Sequence, residues 1–373
     1  MSWKTTKLES LCKMHSGGTP SRGKKNYYSG DIPWAKISDI ETAEGGVIDN
    51  TEEKITEEGL NAINNRIFEK GTLLLAMYGS VGKVAFAGTK MSTNQAILGI
   101  NIKDTNFLDY SYLKYWFQTI KSQLLDRAVG GTLQNISLGI VKDLEIPLPP
   151  LATQKRIAEI LDAADALRRK DQELLKKYDE LAQAIFIDMF GDPVKNEKGW
   201  EVKKLGSVTK MKAGNFISAS EINTELGDNL YPCYGGNGLR GFVKSYTHDG
   251  NYILIGRQGA LCGNVKITSS KFYATEHAVV CTPKMEYNVL WLYYLLGALN
   301  LNKFASGAAQ PGLNVSTLVD IEVIFAPLKL QNQFAEKLEL IEEQNTSVKG
   351  NLIKTNQLFN SLIKKAFKGE LVA

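Results

Sequence analysis

The stretch YGSVGKV, Tyr78 to Val84, carries the glycine, serine and lysine that hold phosphates in nucleotide-binding loops. The pattern GxxxxGK[ST] would need glycine at Met77 and serine or threonine at Val84, so the phosphate-loop reading fails. No GxGxxG leads a strand into a helix with a later acid, which leaves a dinucleotide fold without support. There is no GxSxG elbow for a nucleophilic serine, and no carboxylate falls in an HExxH or EF-hand pattern. Cys12, Cys233, Cys262 and Cys281 share no close spacing, and His15, His248 and His277 are too scattered for a zinc cluster. The cysteines read as buried small apolar residues. Nothing here supports catalysis by this chain.

What remains is a set of polar, glycine-flanked loops. The first half has SGGTPSRGKKNYY (16–28), YGSVGK (78–83), TNQ (93–95) and GGTLQNIS (130–137). The second half offers KAGNFISAS (212–220), YGGNGLRG (234–241), GRQGALCGN (256–264), TEH (275–277) and GAAQPGLNVS (307–316). Arg, Lys, Asn, Gln, Ser and Thr read base edges and hold phosphates, and glycine lets a backbone approach a duplex closely. Taken singly, each loop also reads as a plain turn. Together they form matched pairs whose flanks stay similar while the loops diverge.

The elements that must position these loops come from a duplication. WKTTKLESLCKM from Trp3 matches WEVKKLGSVTKM from Trp200, and LLLAMYGSVGKV (73–84) matches ILIGRQGALCGNV (253–265) with one residue inserted. TNQAILGI (93–100) matches TEHAVVCT (275–282), YSYLKYWF (110–117) matches YNVLWLYY (287–294), and NIS (135–137) matches NVS (314–316). On that alignment Tyr78 faces Gln258, Asn94 faces Glu276 and Gln95 faces His277. From Asp143 and Asp320 a 177-residue offset holds to Phe190 and Phe367. The expected organisation is a globular domain at 1–146, a long helix at 147–191, a second globular domain at 192–326 and a second long helix at 327–373.

Short apolar runs broken by glycine turns read as strands, and LDYSYLKYWFQTIKSQLLDRA and YNVLWLYYLLGALNLNKFA as buried helices, so each domain is expected to be α+β. Both long helices show a 3-4 apolar rhythm, interrupted by Asp171 in the first and by Asn345 and Thr355 in the second. Such stripes read as coiled-coil seams with polar register-setters, or as an amphipathic face packed on its own domain. A 40-residue helix is roughly 60 Å long, more than one globular domain needs. An antiparallel pair would place the two domains at opposite ends of a pseudo-twofold dumbbell.

Composition agrees with a globular protein at 43% hydrophobic and 23% charged residues, without a membrane-spanning run. The N-terminus MSWKTTKLES lacks the apolar core of a secretory signal, which favours the cytoplasm. The net charge of +4 is weak evidence for a nucleic-acid partner. Its distribution says more: residues 41–58 hold seven acids and one lysine, while the rest of 1–150 carries 16 bases against 9 acids. That pattern fits an acidic lobe turned away from a basic surface, or a solvated acidic loop.

The whole chain resembles the DNA specificity subunit of type I restriction–modification systems. The resemblance rests on PLPPLATQKRIAEILDAADAL and IFIDMFGD around the first long helix, IFAPLKLQNQFAEKL at the second, and the frames YGSVGKV and GGTLQNIS. It implies two target-recognition domains alternating with two helices that pair as an antiparallel coiled coil. Each domain would read one half of a split double-stranded DNA target. The helices would dock two adenine-methylating modification subunits, with a restriction and translocation subunit able to join. S-adenosylmethionine, ATP and Mg²⁺ would then belong to partner subunits, since this chain has no NPPY or DPPY motif and no helicase loop. Because the paired loops differ, two unlike half-sites are expected. The candidate reading residues are Thr19, Ser21, Arg22, Lys24, Tyr78, Ser80, Lys83, Asn94 and Gln134 in the first domain. In the second they are Asn215, Tyr234, Asn237, Arg240, Arg257, Gln258, His277, Gln310 and Asn314. His277 also reads as a structural histidine. A duplicated coiled-coil scaffold for a peptide, sugar or protein partner, and a stand-alone nuclease or methyltransferase, are the rival readings.

Overall fold

The computed structural model describes residues 3–126, 135–259, 261–307 and 311–372. They divide into two compact units, Met1–Asp171 with Asn351–Ala373, and Gln172–Gly350. Each long helix, Leu151–Phe190 and Leu328–Lys368, contributes residues to both units.

In the first unit a five-stranded sheet runs in the order Cys12–Ser16, Ile97–Ile102, Leu73–Ala76, Val84–Ala87, Val47–Ile48. A three-stranded sheet orders Glu53–Ile55, Tyr28–Ala35 and Ser92–Thr93, the last pair parallel. Strand Leu73–Ala76 is buried throughout because both of its faces are covered. Alternation sends Leu73 and Leu75 to the main core, while Leu74 and Ala76 join Ile40, Phe68 and Ala35 on the other side. The second unit repeats this plan: Thr209–Ala213, Ala278–Pro283, Ile253–Gly256 and Val265–Ile267 form one sheet, and Tyr231–Gly235 pairs parallel with Lys271–Ala274 in another. Helices Tyr110–Thr119 and Val289–Ala298 supply Tyr112 and Tyr115, and Trp291 and Leu295, to the respective cores. The architecture is α+β, with mixed sheets and long helices.

The two readings of the apolar stripes prove compatible rather than exclusive. In the first unit Ile157, Leu161 and Ala164 of the first long helix share one core with Phe359, Ile363 and Ala366 of the second, and with Tyr112 and Tyr115. Early residues of one helix thus meet late residues of the other, so they run antiparallel within this unit. In the second unit Ala182, Phe186 and Phe190 pack with Phe334 and Leu338 around Trp291 and Leu295. A 3-4 stripe is wide enough to meet a partner helix and a domain helix at once.

The repeated words at the helix entries also gain a physical reason. Gln154 is fully buried; its amide donates to the Phe107 and Pro149 carbonyls at 2.8 and 2.9 Å, and its oxygen accepts from the Asp109 backbone at 3.0 Å. Gln331, 177 residues later, is equally buried, donating to the Ala326 carbonyl at 2.7 Å and accepting from the Asn288 backbone at 2.8 Å. Asp109 and Asn288 cap the domain helices. Each glutamine therefore pins the start of a long helix to the start of a domain helix. Asp171 accepts a 3.0 Å hydrogen bond from Thr355, so these two interruptions of the stripes meet each other.

All four cysteines are buried and free, and burial pushes the Cys12 and Cys281 thiols up to about 12. Neutral thiols of that kind are poor nucleophiles. Among the described residues no helix is long and apolar enough to cross a membrane.

Candidate nucleic-acid interface

Backbone hydrogen bonds draw the polar loops of each unit onto one framework. In the first unit Gly17 N–H donates to the Ile97 carbonyl, Gly18 to Thr93, Asn94 to Ala35, Met77 to Ala96 and Ile136 to Met77, at 2.8–3.0 Å. In the second, Gly214 donates to Ala278, Asn215 to Ala274, Thr275 to Tyr234, Arg257 to His277 and Leu313 to Arg257, again at 2.8–3.0 Å. The same three places meet in both units: the segments after Cys12–Ser16 and Thr209–Ala213, the loops after Leu73–Ala76 and Ile253–Gly256, and the turns before Ile97–Ile102 and Ala278–Pro283.

Those bonds also correct the register. Strand pairing sets Ala76 opposite Ile97 and Gly256 opposite Ala278, so Gln95, not Asn94, stands where Glu276 stands, and Ala96 where His277 stands. Likewise Ile136 corresponds to Leu313, which sets Asn135 against Gly312; the bridges Tyr78–Asn135 and Gln258–Gly312 agree. Tyr78 does face Gln258.

Two of the loop glycines allow close packing within the chain. A Cβ on Gly17 would lie 2.1 Å from Thr93 Oγ1, and one on Gly214 would lie 2.1 Å from the Ala274 carbonyl oxygen. Both glycines press the segment that follows the strand against its own neighbouring turn. Gly79 and Gly259, at φ 67° and 84° with no atoms near a would-be Cβ, form the open loop tips instead.

In the first unit much of the candidate set is held by the acidic stretch. Arg22 forms a two-pronged pair with Glu53, at 2.6 and 3.3 Å, and lies over the rings of Tyr28 and Trp34 at 4.6 and 5.1 Å. Lys83 pairs with Glu44 at 3.0 Å, and Ser80 donates to Glu41. The acidic segment is therefore neither turned away nor merely solvated; it neutralises the basic loops beside it. Hydrogen bonding from Arg22, then Lys36, holds the Glu53 carboxyl below the usual carboxylate range. Lys24 donates to the Tyr27 hydroxyl at 3.0 Å, and Ser21 is exposed. Thr19 donates to Gln95, Tyr78 is 39% exposed, and the Asn94 side chain caps its own turn by accepting from Ala96 N–H at 3.1 Å. Gln134 and Gln310 lie outside the described residues.

In the second unit Arg257 and His277 come together with Glu276. Arg257 Nη1 donates to the Glu276 carbonyl at 3.5 Å, and His277 Nε2 lies 3.2 Å from Glu276 Oε1. Arg257 Nε, Glu276 Oε2 and His277 Nδ1 are buried without a hydrogen-bond partner. Gln258, Asn215 and Arg240 are exposed. Tyr234 belongs more to packing: it meets Phe272 edge to face at 5.9 Å, and burial raises its phenol. Asn237 lines a separate cavity of about 750 Å³ with Gln183, Tyr293 and Lys266. Asn314 caps helix Val315–Asp320 through its backbone position, without a side-chain bond. Glu276 and Gln95 stand outside the candidate set, although both lie in the paired words TNQ and TEH. Among the described residues no group of three His, Cys, Asp or Glu side chains could hold a metal.

The structure therefore defines a duplicated α+β scaffold with two polar faces built on one backbone plan. The chain belongs to the type I restriction–modification DNA specificity family, whose model matches residues 1–177 and 197–357. It is 31% identical to the specificity subunit of the type I restriction enzyme EcoprrI of Escherichia coli, over 91% of this chain and 88% of that one. It is 27% identical to the MjaIX specificity subunit of Methanocaldococcus jannaschii, over 99% and 93%. Among solved structures, the S subunit of a type I system from M. genitalium has the same fold, with a TM-score of 0.60 at 20% identity over 98% of this chain and 96% of that one. The chain is thus a non-catalytic specificity component, its role DNA sequence recognition within a restriction–modification system.

Proposed function

We propose that this chain reads a split, asymmetric DNA target, one half through each unit, and docks two adenine-N6 modification subunits, an assembly that a restriction subunit can join. The observation that carries the reading is the pair of polar faces: their backbone bonds correspond one for one, while their side chains differ. One scaffold with two unlike faces suits two unlike half-sites and not a palindrome. S-adenosylmethionine, ATP and Mg²⁺ are assigned to the partner subunits, and the complex to the cytoplasm. The test is methylation-aware sequencing of DNA exposed to the assembled complex. It should show modified adenines in one motif of two different halves around a fixed gap, while the purified chain alone transfers no methyl group. Methyl transfer by the isolated chain would sink the proposal, and a palindromic motif would remove the division between units.

The acidic clamp on the first unit makes a second prediction. Substitution Glu53→Gln removes the charge that holds Arg22, while Lys36 keeps its second partner Glu52 at 2.8 Å. A freed Arg22 that reaches a phosphate should steepen the dependence of log K on log salt by roughly 1. Binding titrations across a salt series would measure it. An unchanged slope would show that Arg22 faces away from DNA.

A further inference from the structure

Resting on the DNA-reading function above, we infer that the turn at the centre of each face reads one base pair, and that the two turns read different kinds: Glu276 with Arg257 a G·C pair, Gln95 an A·T pair. The backbone bonds place Gln95 and Glu276 at one and the same position of the shared plan. What differs is the hydrogen-bonding character they present.

An ionised carboxylate only accepts and a guanidinium only donates. In the major groove cytosine offers an amino donor at N4, and guanine offers acceptors at N7 and O6. Glu276 and Arg257 together complement both edges of a single G·C pair. An adenine edge suits the carboxylate less, because its N6 donor sits beside the N7 acceptor, which a carboxylate cannot satisfy. The Gln95 amide has both an acceptor and a donor, the pattern that pairs with adenine N6 and N7. Thr19 donates to its oxygen, leaving a lone pair and the amide nitrogen for the base.

The second unit shows that its cluster is built and incomplete. Glu276 Oε2 and Arg257 Nε are buried yet unmet, an arrangement costly to leave unmade. His277 Nε2 holds the other carboxylate oxygen, and the Glu276 and His277 side chains remain 31% and 40% exposed. The first unit puts buried Met77 where Arg257 stands and Ala96 where His277 stands, so it has no counterpart to either side chain.

Reciprocal exchange tests the assignment. The complex with modification subunits is prepared with the natural chain, with Glu276→Gln and with Gln95→Glu. Bound duplexes are then selected from a library randomised at every target position. Each exchange is isosteric, and Thr19 can donate to a glutamate as to a glutamine. Glu276→Gln should cost roughly 10- to 100-fold in preference for G·C over A·T at one position of one half-site. Gln95→Glu should move one position of the other half from adenine towards cytosine. Selections unchanged at every position, or both exchanges acting on the same half, would overturn the inference while the DNA-reading function stands. A natural complex that selects no sequence at all would instead remove the function beneath it. Should one variant fail to assemble, the other still decides, since each predicts its own half.

Discussion

Substitution Phe334→Ala should cost the second unit about 3–5 kcal/mol, the range for deleting a buried phenylalanine ring. Phe334 is fully buried, and three rings meet it: Phe186 and Phe190 at 5.6 Å and Tyr294 at 5.4 Å, all close to perpendicular. Edge-to-face pairs contribute about 0.5–1.5 kcal/mol beyond the area they bury. The ring joins both long helices to the domain helix Val289–Ala298, so its loss removes the contact that all three share. Against a typical stability of about 5–15 kcal/mol, the change is large. Urea unfolding would give the magnitude. Hydrogen exchange would give the place: strands Ile253–Gly256 and Ala278–Pro283 should lose protection, while Leu73–Ala76 and Ile97–Ile102 keep theirs. A loss under about 1 kcal/mol would mean that the aromatic cluster is not packed this way.

Phe334 also shows what the sequence could and could not reveal. Its place on an apolar stripe was legible, because a 3.6-residue period appears in the residue types alone. Which surface the stripe meets was not, since a partner helix and a domain helix demand the same period. The α+β class was legible from runs such as GTLLLAMYG, and the long helices from apolar stripes that polar residues interrupt only at Asp171, Asn345 and Thr355. The duplication was legible wherever buried positions restrict residue type, as at Gln154 and Gln331, where two backbone partners demand one amide. It failed where side chains are exposed. In the turns TNQA and TEHA a shared threonine and alanine suggested one alignment, and hydrogen bonds impose another by one residue. That slip changes which residues occupy corresponding positions in the two turns. Nor could the sequence say that Glu41, Glu44 and Glu53 would close on Ser80, Lys83 and Arg22, because such pairs join segments tens of residues apart. Candidates chosen by type thus fall on loops that backbone bonds draw together, while Arg22, Lys83 and Asn94 are each engaged within the chain.

Lengthening both long helices by one heptad should lengthen the gap between the half-sites that the protein accepts. The insertion points are after Leu174 and after Asn351, which correspond under the 177-residue offset. Each lies within about one turn of the Asp171–Thr355 hydrogen bond, and each falls between the core residues of the two units rather than within them. Ile157, Leu161 and Ala164 come before the first point and Ala182, Phe186 and Phe190 after it; Phe334 and Leu338 precede the second, and Phe359 and Ile363 follow it. Seven residues keep an apolar seam in phase and add about 10 Å to each helix. DNA rises roughly 3.4 Å per base pair, so the preferred gap should grow by about three base pairs. Three base pairs also turn the duplex by a little over a quarter of its roughly 10.5-pair repeat, a rotation that bending of the DNA must absorb. The lengthened chain, assembled with modification subunits, should therefore keep both half-site sequences, prefer the longer gap and methylate it more slowly. Insertion into one helix alone leaves the seam unmatched and should abolish assembly. Modified adenines mapped at the original gap, in a complex shown to be intact, would refute the helices as the element that sets the spacing.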